Sequence, residues 1–103
     1  MKTILKYQLP NGKIPYDEWF SKLDNSQKAK VLIRIERLKL GLYGNCKTLS
    51  EGLKELKFDS GLRIYFHEQC DIIVILLNGG GKQRQSKDIE TAKKYLQEYL
   101  SNH

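Results

Sequence analysis

Between Leu53 and Lys87 the chain reads LKELKF, then SGLRIYF, then DIIVILLNGGGKQRQSK, and this run concentrates the residues that could do chemistry. Lys57, Arg63, Lys82 and Arg84, with Lys87 just beyond them, would gather cationic side chains at one end of a small sheet. Such a cluster can grip a phosphodiester and stabilise extra negative charge on it. Arg63, Tyr65 and His67 alternate along one strand and so project to the same side. If that strand pairs with residues 53–58, Glu55 and Lys57 come alongside, and Glu55, Tyr65 or His67 become candidate proton-handling groups.

RNA is the phosphodiester for which this set suffices. Its own 2′-hydroxyl is the nucleophile, so cleavage would require neither an enzyme nucleophile nor a metal. The needs are in-line geometry, a base, an acid for the leaving oxygen, and cations around the phosphorane. Lys57 or Lys82, each with other cations near, is the candidate base. Arg63, permanently charged and bidentate, suits the non-bridging oxygens. The ordinary alternative is an arginine solvated or paired with a nearby carboxylate, Glu55 or Asp71. A lone histidine near a strand end, such as His67, is commonly incidental, and His103 is simply the last residue.

Other chemistries find no support. Gly79-Gly80-Gly81-Lys82 lacks the GxxxxGK[ST] pattern of a phosphate-binding loop, since Gln83 follows the lysine. No HxxxH, CxxC or carboxylate cluster suggests a metal, and no cofactor is expected. Cys46 and Cys70 lack CxxC spacing and are expected as reduced thiols.

Those residues must be positioned by a short succession of elements. Ile4, Leu5, Tyr7 and Leu9 suggest a first strand, broken by Pro10-Asn11-Gly12. After Pro15, the spacing of Tyr16, Trp19, Phe20 and Leu23 predicts a helix. Asp24-Asn25-Ser26 ends it and offers a cap for the next, over Gln27 to Leu42. There Val31, Leu32, Ile35, Leu38 and Leu42 form the apolar stripe. Lys30, Arg34 and Arg37 line the opposite face, either a solvated surface or one that meets RNA or an acidic partner.

GNCKTLSEG reads as a loop. Strands follow over 53–58 and 62–67, joined by Asp59-Ser60-Gly61, and a third over 72–77 is apolar throughout, so central and buried on both faces. Ile89, Ala92, Leu96, Tyr99 and Leu100 mark a C-terminal amphipathic helix. The order β-α-α-β-β-β-α predicts an α+β fold, a small, mainly antiparallel sheet with helices packed on one face and the other left comparatively open.

A chain of 103 residues is one domain, residues 1–103, with a single modest core. The net charge of +6 points to an anionic partner such as RNA, DNA, a membrane surface or an acidic protein. No apolar run approaches the ~18 residues of a membrane span. The opening MKTILKYQLPNGK has no apolar region of signal-peptide length, so a cytoplasmic protein is expected.

The succession LPNGKIPYDEWFSKLD, GLKELKFDSGLRIYF, an apolar strand and GGGKQRQSKDIETAKKYL resembles the RelE/ParE superfamily of bacterial toxins, most closely its HigB-like, phage-derived addiction-module killer branch. The resemblance covers essentially the whole chain. It implies a RelE-like (microbial RNase-like) fold and ribosome-dependent cleavage of mRNA in the A site. It also implies neutralisation by a cognate helix-turn-helix antitoxin in a toxin–antitoxin hetero-oligomer, and repression of the shared operon by that complex.

In that family Arg63 matches the arginine of the G-x-R strand that contacts the scissile phosphate, and Lys82 matches the lysine after the glycine turn. Lys57 falls near the basic residue of the preceding strand, and Arg84 lies one position from the second arginine. Arg34, Arg37, Lys87 and Tyr65 are the further candidate RNA contacts. RelE is more basic where Glu55 stands, and it uses a tyrosine near its C-terminus where this chain has Ile89 and a full helix. That leaves the general acid open, with Tyr65 or Tyr95 as substitutes. The alternatives to an endonuclease are a ParE-like toxin that binds DNA gyrase, and a non-catalytic interaction module.

Overall fold

A computed structural model describes residues 1–50 and 52–102, so Glu51 and His103 lie outside the described residues. Its strands are β1 (Thr3–Lys6), β2 (Cys46–Ser50), β3 (Leu53–Lys57), β4 (Arg63–Gln69) and β5 (Ile73–Gly80). Its helices are α1 (Pro15–Ser21), α2 (Asn25–Lys39) and α3 (Gln85–Asn102). The strands form one sheet in the order β1-β5-β4-β3-β2, with β1 parallel to β5 and the remaining neighbours antiparallel. The mainly antiparallel α+β class stands, and the architecture is consistent with the RelE-like one that the resemblance implies.

Local chemistry accounts for the elements. Pro15 opens α1, where its missing N–H costs nothing, and the Asp24 carboxylate caps α2 by accepting from the Gln27 amide at 2.8 Å. Gly61, at φ +96°, makes the turn between β3 and β4, with its N–H donating to the Phe58 carbonyl. In β5 residues 74–78 are buried between β1 and β4, but Ile72, the first residue of the expected run 72–77, precedes the strand and is exposed.

Two features of the fold depart from what the sequence predicts. The segment read as a loop contains β2, which pairs with β3. As an outer strand with Lys47 and Thr48 exposed, it needs no apolar alternation and so gives no strand pattern. The helices also do not share one face. On one side α1 and α2 bury Tyr16, Val31, Ile35 and Leu38 against Leu56, Ile64, Phe66 and Leu76. On the other, α3 buries Ala92 and Leu96 against Leu53, Tyr65, Ile75 and Leu77. A strand apolar on both faces requires cover on both, and α3 is the element left to supply it. The stripe of α2 is narrower than expected, since Leu32 and Leu42 stay exposed.

On the α2 side the Glu68 carboxylate, on β4, receives Lys2, Lys54 and the Tyr43 hydroxyl. Burial alone would raise its pKa, but hydrogen bonds from Lys2, Tyr43 and Lys54 more than offset that and hold it at about 2. This knot ties the N-terminus and the loop after α2 to the middle of the sheet.

Candidate functional site

Three strands finish at the same end of the sheet. Lys57, the last residue of β3, pairs with Arg63, the first of β4, and Arg63 pairs in turn with Gly80, the last of β5. The chain then turns through Gly81 to Arg84 into α3. Lys82 packs over the β3–β4 turn, its Cβ 3.8 Å from the position a side chain on Gly61 would occupy. The Gly61 carbonyl accepts from Arg63 Nη1 at 3.0 Å. Lys57, Arg63 and Lys82, with Arg84 following, therefore meet at one corner built from two different turns.

Within the corner the cations differ. Lys57, Lys82 and Arg84 are exposed, whereas Arg63 is buried beneath the start of α3. Its Nε lies 3.6 Å from Glu55 Oε2 and makes no hydrogen bond among the described residues. Glu55, also buried, accepts from the Gln85 amide of α3 at 3.0 Å. The sheet face bearing Arg63, expected to lie open, is covered because α3 returns across it. Of the two carboxylates that could neutralise Arg63, it is Glu55, two residues before Lys57 on the same face, that approaches.

Tyr65 is completely buried on this face, and its hydroxyl stays near Glu55 without reaching hydrogen-bond geometry. Burial first, and the Glu55 and Asp88 charges next, push its pKa far up. His67 lies four positions along β4, about 13 Å from Arg63 at ordinary strand rise. Its Nδ1 sits 2.8 Å from the Gly52 carbonyl, so it closes a turn at the other end of the sheet.

The α2 cations form a neighbouring groove of about 410 Å³, lined by Lys30, Arg34, Arg37 and Lys57 together with Asp59. Arg34 is largely committed there. It donates to the carbonyls of Lys57 (2.9 Å), Tyr43 (3.2 Å) and Asn45 (3.4 Å), and its guanidinium stacks 4.6 Å from the Phe58 ring centre. Burial, then the adjacent Arg37, lower its pKa. Arg37 is exposed in the groove, and Lys87 is exposed on α3. The groove borders the corner at Lys57.

Sequence reasoning missed the partners of the glycine run. Gly79 and Gly80 belong to β5 rather than to a turn. A methyl group on Gly79 would strike the Trp19 ring, and one on Gly80 would strike the Asp88 carboxylate. The Asp88 backbone carbonyl accepts from Asn78 Nδ2 at 3.2 Å, fastening α3 to β5. Burial raises the Asp88 pKa, and nearby Arg84 opposes that rise. The signal was the glycines themselves, since consecutive glycines inside a strand mark close approach from outside.

Among the described residues no helix is long and apolar enough to cross a membrane, and no three His, Cys, Asp or Glu side chains group as metal ligands would. The corner can bind an oxyanion through exposed cations backed by a buried guanidinium, with a carboxyl, Asp88, close by.

Over residues 18–98 the chain matches the model of the family described as Phage derived protein Gp49-like (DUF891). It is similar to an uncharacterized protein of Haemophilus influenzae, 44% identical over 88 residues that span 82% of this chain and 89% of that protein. With most of its length inside the family match, the chain belongs to the Gp49-like family of phage-derived proteins.

Proposed function

We propose that this chain is the toxin of a type II toxin–antitoxin pair, of the RelE/HigB kind, and that it cuts mRNA in the ribosomal A site. The observation that carries the reading is the convergence of Lys57, Arg63 and Lys82 on one sheet corner. Membership in a phage-derived family and the net charge of +6 support it. A corner of this kind neutralises a phosphorane, and RNA supplies the nucleophile.

In the proposed reaction Lys57 or Lys82 takes the 2′-hydroxyl proton, and that oxygen attacks phosphorus in line to give a 2′,3′-cyclic phosphate. The 5′-oxygen leaves with a proton. Asp88, which lies against Gly80 and lines the same cleft as Lys82 and Arg84, is the carboxyl best placed to give it, in preference to buried Tyr65. Arg63, desolvated, offset by Glu55 and donating to the Gly61 carbonyl, supplies a preorganised dipole beneath Lys57 and Lys82 rather than a free charge. The partners are then the ribosome with its mRNA and a cognate helix-turn-helix antitoxin, and the site of action is the cytoplasm.

Primer extension on mRNA from cells expressing the chain tests this. Cuts phased with the reading frame, absent for Lys82→Ala at equal protein level, are expected. Arrested replication without mRNA cuts would overturn the reading in favour of gyrase poisoning, and growth inhibition with neither would favour a non-catalytic module.

A further inference from the structure

Beside the corner, between α1 and the end of β5, opens a cleft of about 640 Å³ that sets Lys22, Lys82 and Arg84 around Trp19, with the carboxylates of Glu18 and Asp88 also on its wall. Gly79 pairs with Ile64 and so faces the α1 side, where the Trp19 indole lies directly against its backbone. Trp19 remains half-buried, resting on the strand and tilted against the Tyr16 ring at 5.8 Å between centroids, and its remaining surface lines the cleft. A side chain built on Gly81 would meet nothing within 4 Å, so the backbone there leaves the cleft open. Lys22, from the end of α1, and Lys82 and Arg84, from the turn, are all exposed around it.

An apolar cleft made for a protein side chain would have no use for three cations around a tryptophan. An aromatic plate bordered by Lys and Arg is how proteins hold single-stranded nucleic acid: the base stacks and its flanking phosphates are neutralised. Lys82 lines the cleft and also packs over the turn whose Gly61 carbonyl holds Arg63, so the two are contiguous.

We propose that this cleft is a base-binding subsite, in which one unpaired RNA nucleotide next to the scissile phosphate stacks on Trp19 while Lys22 and Arg84 take its flanking phosphates. The proposal rests on the RNA-directed reading of the corner. Because stacking carries recognition here, the subsite accepts any base and favours purines, which offer the larger ring.

Trp19 is the only tryptophan, so its fluorescence reports this cleft alone. The probe is a 2′-O-methyl hexaadenylate, which lacks the nucleophile and cannot be cut, titrated at low salt with anisotropy and tryptophan emission read together. Expected are quenching that saturates with binding, and binding about 5- to 100-fold weaker for a charge-matched abasic hexamer that leaves emission unchanged. Lys22→Ala should weaken binding for both probes and flatten the salt dependence by about one unit. Trp19→Leu, which keeps apolar volume against Gly79, should bind the hexaadenylate no better than the abasic probe while retaining the wild-type circular dichroism.

Binding without quenching, no binding at all, or a folded Trp19→Leu that binds as well as wild type would overturn the subsite. Its failure and that of the endonuclease reading are distinguishable. Quenching without ribosome-dependent cutting removes only the endonuclease, whereas cutting undiminished in Trp19→Leu removes only the subsite.

Discussion

Replacing Arg63 with methionine should destabilise the fold far more than removing a surface charge, and the reason lies in Glu55. The two side chains are only 5% and 1% exposed and stand 3.6 Å apart. An exposed ion pair is worth about 0–1 kcal/mol, but stranding one member of a buried pair costs about 3–5 kcal/mol. Gln85 still donates to Glu55 in the variant, which places the expected cost near the lower end, about 3 kcal/mol. Set against a domain stability of about 5–15 kcal/mol, that loss consumes a large share.

The companion variants are Glu55→Leu and the double variant Arg63→Met with Glu55→Leu. Removing both charges leaves neither group stranded, so the double variant should recover about 2 kcal/mol or more relative to the sum of the single losses. Urea denaturation followed by Trp19 emission measures all four proteins. An Arg63→Met variant within about 1 kcal/mol of wild type, or a double variant whose loss equals the sum of the singles, would refute the buried pair. A well-folded double variant that does not cut mRNA would separate the charge of Arg63 from its structural part.

Other residues give sharper, smaller tests. Glu68→Gln should cost about 1–3 kcal/mol at neutral pH. The wild-type carboxyl titrates at about 2 when folded, below its unfolded value of 4.5, so its contribution is present above pH 4.5 and lost as pH falls toward 2. Denaturation midpoints of the two proteins should therefore converge over that interval, and a gap constant down to pH 2 would contradict the knot. Gly79→Ala should lose about 1–3 kcal/mol by overpacking against Trp19 and shift its emission, whereas an unchanged spectrum would mean the ring is not there. Tyr65→Phe removes a buried hydroxyl that has no hydrogen-bond partner among the described residues, so stability should stay within about 1 kcal/mol or rise. A loss well beyond that would reveal a bond to Glu55.

Much of the corner was legible because strand alternation is rigid. Placing Lys57, Glu55, Arg63 and Tyr65 on one face needed only a period of two and the short Asp59-Ser60-Gly61 turn. Whether that face is open could not be read the same way, since it depends on the direction in which α3 leaves β5. One clue was present all the same: a strand apolar at every position needs cover on both sides. The outer strand β2 gave no pattern because its neighbours Lys47 and Thr48, on opposite faces, both meet water. Arg34 misled because helical spacing counts it among surface cations, while its reach to the Lys57, Tyr43 and Asn45 carbonyls depends on a loop fold that spacing does not encode. Trp19 looked like one more apolar position of α1, and its contact with Gly79 joins residues far apart in sequence.

The central claim is that the corner of Lys57, Arg63 and Lys82 cuts RNA only where the ribosome presents it. Purified protein should be mixed with an end-labelled mRNA, either naked or held in a ribosome complex with an empty A site. The account predicts one cut within the A-site codon of the ribosome-bound message, a 2′,3′-cyclic phosphate on the 5′ fragment, no cut in naked RNA, and loss of the cut with Lys82→Ala. An intact message in the ribosome complex at stoichiometric protein, or equal cutting of naked RNA, would contradict it.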